Sequence, residues 1–201
     1  MIYVFATFEK TGNLKYISHL DLQRAMTRLL MRSGLPVVFS EGFNPHPKLT
    51  FAQPLSIFQE SVCEIAEFRL PGPCDPKTVL KALRAASPEG LNFTEVEFSE
   101  KKLRPCVRAS YELTFETALS PEELETVFAG EMPVLKKTKT REITMDISPL
   151  ITNKKFEECK NGVRMTCELP CGDAYLNPNY IASFLEEKAK TTRILRKALF
   201  F

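Results

Sequence analysis

Histidine is scarce in this chain, with two in 201 residues, His19 and His46. The two histidines with Asp21 or a nearby Asp or Glu could make a three-ligand metal set, but no HxxxH or HxH spacing exists. No metal ligand set is read here. Six cysteines, Cys63, Cys74, Cys106, Cys159, Cys167 and Cys171, contain no CxxC pair. Cys167 and Cys171 form the one close pair, and two thiols do not make a zinc or iron–sulfur site. Gly-rich phosphate loops and a GxSxG elbow are also absent, and no cofactor is expected. No apolar run approaches the roughly 18 residues of a membrane span, so no membrane association is expected. The first ten residues lack the basic n-region of a signal peptide. The cysteines are therefore read as reduced thiols of a cytoplasmic protein.

What is present describes a globular chain. It is 44% hydrophobic and 26% charged, which predicts a packed core rather than extended disorder. The net charge of +2 neither demands nor excludes nucleic acid, so the placement of the basic residues decides the matter.

Hydrophobic periodicity predicts an α+β fold of two tandem ferredoxin-like (β-α-β-β-α-β) units with antiparallel sheets. The first covers 1–100, a charged joint covers 101–109, and the second covers 110–201. In the first, residues 2–9 alternate as a strand and Lys10 to Asn13 turn. Ser18 caps a helix over 19–33, with Asp21 at the third helical position and Leu20, Met26, Leu29 and Leu30 facing the core. Val37 to Phe39 reads as a short buried strand, a Pro/Gly/Asn-rich loop covers 41–56, and Cys63 to Leu70 is a strand. Asp75-Pro76 opens a helix over 75–86, and Leu91 to Phe98 closes the unit. In the second, Tyr111 to Glu116 is a strand and Ser120 opens a helix. Strand-like stretches follow at 134–147 and 156–169, then a helix from Asn177 to Lys190 and a strand from Ile194.

Polar chemistry concentrates in the block from Tyr16 to Lys48. Arg24, Arg28 and Arg32 recur at i, i+4 and i+8 and line one helix face. With no acidic partner at those spacings they suit phosphate oxygens, which guanidinium forks grip bidentately. The alternative is a solvated outer face; Lys10 and Lys15, near the helix start, tilt the balance toward an anionic partner. His19 lies in the first turn, where the helix dipole favours neutral imidazole. It is either a capping contact or a base. Gly42-Phe-Asn-Pro-His-Pro-Lys48 holds His46 between two prolines, which stiffen the mount of Asn44, His46 and Lys48. The alternative is a stiff connector. In the second half, Lys136, Lys137, Lys139 and Arg141 suit a phosphate backbone or, equally, protect a sheet edge by charge.

Lys10-Thr-Gly12, Tyr16-Ile-Ser-His-Leu-Asp-Leu-Gln-Arg24, Arg28, Leu35-Pro36, Phe39-Ser40, Gly42 through Lys48 and Phe51-Ala-Gln-Pro-Leu55 resemble the radical-SAM-linked family of uncharacterised bacterial proteins. The likeness runs over nearly the whole length, with the distinctive motif in residues 8–61; Lys136 to Asp146 resembles the family's Lys-rich stretch. The resemblance implies a partner, a radical SAM protein encoded nearby, and supplies a context rather than an activity. The chain lacks the cysteine triplet of a radical SAM cluster. One departure is Phe58, where the family usually carries glycine.

The leading expectation is an accessory or substrate-recognition protein for a radical SAM enzyme that binds RNA in tRNA or rRNA modification. One alternative is a metal-independent RNA-processing enzyme using His19 and His46 as acid and base, with Arg24 or Lys48 on the phosphate. Another is a subunit that only docks onto protein.

Overall fold

The computed structural model describes residues 1–137 and 142–201. They form a mixed α+β, mostly antiparallel structure with four α-helices, and divide into two compact units. One comprises Met1–Cys106 with Phe201, the other Val107–Phe200.

In the first unit, β1 (Ile2–Lys10) lies antiparallel between β3 (Glu60–Leu70) and β4 (Leu91–Ser99). The two-residue β2 (Thr50–Phe51) pairs with the far edge of β3, giving the order β4-β1-β3-β2. Strand alternation turns Val4, Ala6 and Phe8 toward helices α1 (His19–Arg32) and α2 (Pro76–Ala86), where Ala66, Phe68, Val79 and Leu83 complete the core. On α1 the buried residues are Leu22, Met26, Leu29 and Leu30. Each such burial contributes roughly 1.5–3 kcal/mol relative to exposure. Leu20, expected in the core, is exposed, because the buried stripe runs through Leu22 and Leu20 lies outside it.

Helix α1 starts where Ser18 Oγ accepts the Asp21 N–H at 3.1 Å, and Asp75 caps α2 in the same way through Lys77 and Thr78. The strand expected at 37–39 is absent. Val38 instead donates one hydrogen bond to the Arg69 carbonyl at 2.8 Å, and Phe39 forms an isolated bridge with Pro47. Pro36, Pro45 and Pro47 lack the donors a longer ladder would need.

The second unit has the order β10-β5-β9-β8, built from β5 (Arg108–Glu116), β8 (Thr152–Cys159), β9 (Gly162–Pro170) and β10 (Lys190–Phe200). The stretch expected as one strand at 134–147 is a pair, β6 (Pro133–Lys137) against β7 (Glu142–Asp146). The stretch at 156–169 likewise belongs to the β8–β9 hairpin, turned at Gly162. There φ is +144° and a Cβ would lie 2.2 Å from the Phe115 carbonyl oxygen, so only glycine fits. Helix α3 (Pro121–Ala129) begins at a full capping box, Ser120 with Glu123. Helix α4 (Asn179–Leu185) stops short of Lys190, because Lys188 and Ala189 both turn their N–H groups onto the Leu185 carbonyl and β10 starts at once.

No described helix is long and apolar enough to cross a membrane.

Candidate functional site

The strand register decides the fate of the first expected contact. Val4, Ala6 and Phe8 face the core, and the next residue in that phase is Lys10. Lys10 is fully buried and its Nζ donates to the Gln59 carbonyl at 3.4 Å. Expected at an anion-binding surface, it is an internal group instead, since period two carries it inward. Glu64 is also buried on β3, opposite Phe8. His19 packs edge-on to Phe51, with ring centroids 5.3 Å apart. Burial holds the His19 imidazole below its ordinary pKa, Glu64 opposes that shift and Lys10 adds to it. The His19 Nδ1 atom is buried and, among the described residues, has no hydrogen-bond partner. Beside this cluster, Glu60 accepts the Gly12 N–H at 2.8 Å and fixes the turn after β1.

Asp21 belongs to the helix start. It accepts the Ser18 hydroxyl at 2.7 Å and pairs with Arg24 at 3.3 Å. The Ser18 hydroxyl, followed by the Arg24 charge, holds its carboxyl below the usual range. Among the described residues no hydrogen bond or ion pair joins His19, Asp21 and His46.

His46 sits in a braced loop. The Ser40 N–H donates to the His46 carbonyl at 2.8 Å, and the His46 N–H donates back to Ser40 Oγ at 3.1 Å. Its Nδ1 lies 3.0 Å from Ser40 Oγ and 3.3 Å from the Asn44 carbonyl oxygen. One turn further down, Lys48 donates its N–H to the Val38 carbonyl at 3.0 Å. These bonds and the Phe39–Pro47 bridge close the loop below its tip, where residues 41–45 are exposed. Gly42 has φ +114° there, a conformation that suits glycine. Phe43 is fully exposed beside it. The side chains presented together are thus Phe43, Asn44 and His46, with Lys48 half-buried at the base.

The arginine row is only partly available. Arg24 is held by Asp21 in a pair at i, i+3, a spacing outside the i, i+4, i+8 row in which no acidic partner was expected. Arg32 donates to the Ala86 carbonyl at 3.1 Å and ties α1 to the end of α2. Arg28 is exposed. Lys15 lies 5.2 Å from the centroid of the Tyr16 ring. In the second unit, Lys136 is half-buried on β6. Lys137 ends that strand, and Lys139 and Arg141 lie outside the described residues. Asp146 accepts the Met132 and Ser148 N–H groups at 2.8 and 2.9 Å, so it locks the exit of the β6–β7 pair. Those N–H groups hold its carboxyl below the usual range.

Phe58 adopts φ +68° and donates its N–H to the Lys15 carbonyl at 2.7 Å. A bulky residue in the left-handed region is strained by about 1–2 kcal/mol. That conformation alone accounts for a glycine preference at this position, with no close-approaching ligand required. The Phe58 ring rests edge-on against Tyr16, 6.1 Å between centroids.

Sequence reasoning missed Phe43, Glu64 and Arg69. An aromatic residue between Gly42 and Asn44 in a polar turn was the available signal for the first. Glu64 on a strand of alternating burial was the signal for the second. Among the described residues, no group of three or more His, Cys, Asp or Glu is placed to hold a metal ion.

Fold and site together describe an α+β protein with an internal polar cluster around His19 and an exposed, braced loop around His46. The chain belongs to the family described as an uncharacterised protein conserved in bacteria (DUF2344), whose model matches residues 4–177. A chain from the crystal structure of a Cbf5–Nop10–Gar1 complex is similar in backbone, with TM-score 0.50 at 11% identity, over 98% of this chain and 48% of that one. The present chain thus spans about half the length of that solved chain, and the likeness concerns the fold alone. No curated protein matches the sequence.

Proposed function

We propose that this protein is a non-catalytic recognition subunit that binds RNA for a radical SAM enzyme. The observation that carries the reading is the braced loop, with Phe43 fully exposed and Asn44, His46 and Lys48 around it. An exposed aromatic beside a cation and hydrogen-bonding groups suits an unpaired base and its phosphate. The loop's closures hold these groups in place before binding, which lowers the ordering cost. The strand orders β4-β1-β3-β2 and β10-β5-β9-β8 support reading each unit as ferredoxin-like, with β6 and β7 as an insertion in the second. Docking to a protein partner is supported by α1, where exposed Leu20 and Met31 share a face with Arg24 and Arg28. The partner's identity rests on the family resemblance, and a cytoplasmic setting fits the reading of the cysteines as reduced thiols.

Binding to total tRNA, measured at two ionic strengths, tests the reading. Affinity at low salt that falls steeply with added salt is expected. Absence of affinity at low salt overturns it.

A further inference from the structure

Beside the base of the loop, the first unit holds a groove of about 290 Å³ that the motif residues do not account for. One side is the edge of the sheet at Thr50, Phe51, Glu67 and Arg69, and the other is the segment from Lys102 to Pro105. Glu67 Oε2 accepts the Leu103 N–H at 2.7 Å, which pins that segment against the strand. The pinning sets Lys102 and Arg104, both exposed, on the far wall from Arg69. The Arg69 guanidinium lies 4.6 Å from the centroid of the Tyr3 ring, which covers one face of the fork and orients the rest.

The charge balance is one-sided. Three cations line the groove against one carboxylate, and that carboxylate is already engaged by a backbone N–H. Among the described residues no ion pair is recorded for Arg69, Lys102 or Arg104. The concavity therefore favours an anion. Phe51, Leu103 and Pro105 add apolar lining, which suits a ligand carrying a flat or sugar-like part next to its charge. Its volume sits at the lower end of the ~300–1,000 Å³ of ordinary ligand pockets, room for about one nucleotide.

The base of the loop is tied to the strand that lines the groove. Val38, at the loop's base, is bonded to the Arg69 carbonyl, and Lys48 is bonded to Val38. Phe43 is five positions after Val38, so the tip lies within about 17 Å of that base at ~3.3 Å per residue. A few nucleotides of extended strand bridge such a distance. We infer that the groove lined by Arg69, Lys102 and Arg104 is a nucleotide subsite for single-stranded RNA whose neighbouring base stacks on Phe43. This rests on the RNA-binding reading above and adds where the strand runs and that it is unpaired.

The test uses the full chain and a labelled, unstructured oligouridylate, with binding followed by fluorescence anisotropy across a salt series. Lys102→Gln/Arg104→Gln is compared with Lys77→Gln/Lys81→Gln, an equal charge change at exposed positions of α2. Loss of two phosphate contacts is expected to lower the slope of log K against log salt by about 1.4, at ~0.7 per contact on single strands. The α2 pair is expected to keep the wild-type slope. Equal slopes for wild type and the groove variant, with wild type still binding, overturn the groove and leave the RNA reading standing. Equal losses in both double variants also overturn it, because the effect is then overall charge. A wild-type chain that binds neither oligouridylate nor tRNA at low salt overturns both.

Discussion

The two histidines of the motif lie in the same unit and meet opposite fates. His19 is half-buried between Phe51 and a cluster holding Lys10 and Glu64, and its Nδ1 is shut off from water. His46 stands on the exposed loop, and its Nδ1 is spent on the local brace to Ser40 and Asn44. The first pole is set by desolvation and packing, the second by proline and short-range hydrogen bonds. One stretch of unusual sequence is therefore divided between two environments: an internal polar cluster at the start of α1, and an external loop whose tip is open to solvent.

The comparison breaks most severely at Lys10. Lys10→Met removes a buried ammonium from the Gln59 carbonyl, and about 3 kcal/mol of stability is expected to go with it. Urea unfolding reads this directly; a loss under about 0.5 kcal/mol, the range of ordinary surface changes, would show that the inner cluster is not structural. The outer pole should behave in reverse. Phe43→Ala is expected to leave the unfolding midpoint in place while weakening oligouridylate binding about tenfold, within the roughly 1–3 kcal/mol of one base–aromatic stack. A variant that binds as wild type does would remove Phe43 from the recognition surface.

The gentlest probe is pH. His19 has a folded pKa lowered from its ordinary 6.5, so the folded chain takes up a proton less readily than the unfolded one. The stability that neutral His19 permits is complete above pH 6.5 and is lost as pH falls through the lower folded value. The stability of wild type minus that of His19→Gln should therefore shrink from neutral toward acidic pH. A difference that grows on acidification would mean that the imidazole is stabilised in its charged form.

Much of this was open to reading from the residues. The caps at Ser18, Asp75 and Ser120 announced three helices, and alternation announced most strands. Alternation also contained the burial of Lys10, but the charge of lysine argued the other way, and burial of a charge depends on partners that arrive from distant segments. Gln59 is 49 residues away along the chain. Arg24 shows a related limit: spacing tells which residues share a helix face, whereas the pair with Asp21 depends on rotamers that bring a carboxylate already held by Ser18 within reach. The groove was invisible for the same reason. Arg69 and the 102–105 segment are joined by a backbone N–H to Glu67, and nothing in their local sequence announces that meeting.

The closure of the loop also bears on how such a protein changes over generations. Ser40 and His46 clamp one level, Val38 and Lys48 the next, and the tip at 41–45 adds to them a backbone group, the Asn44 carbonyl oxygen beside His46 Nδ1. Replacements of the Phe43 or Asn44 side chain leave the clamps and the core untouched, whereas Gly42, at φ +114°, is held to glycine. Descendants of one ancestral fold can therefore trade Phe43 or Asn44 for other side chains, and so acquire new preferences, with little penalty to folding.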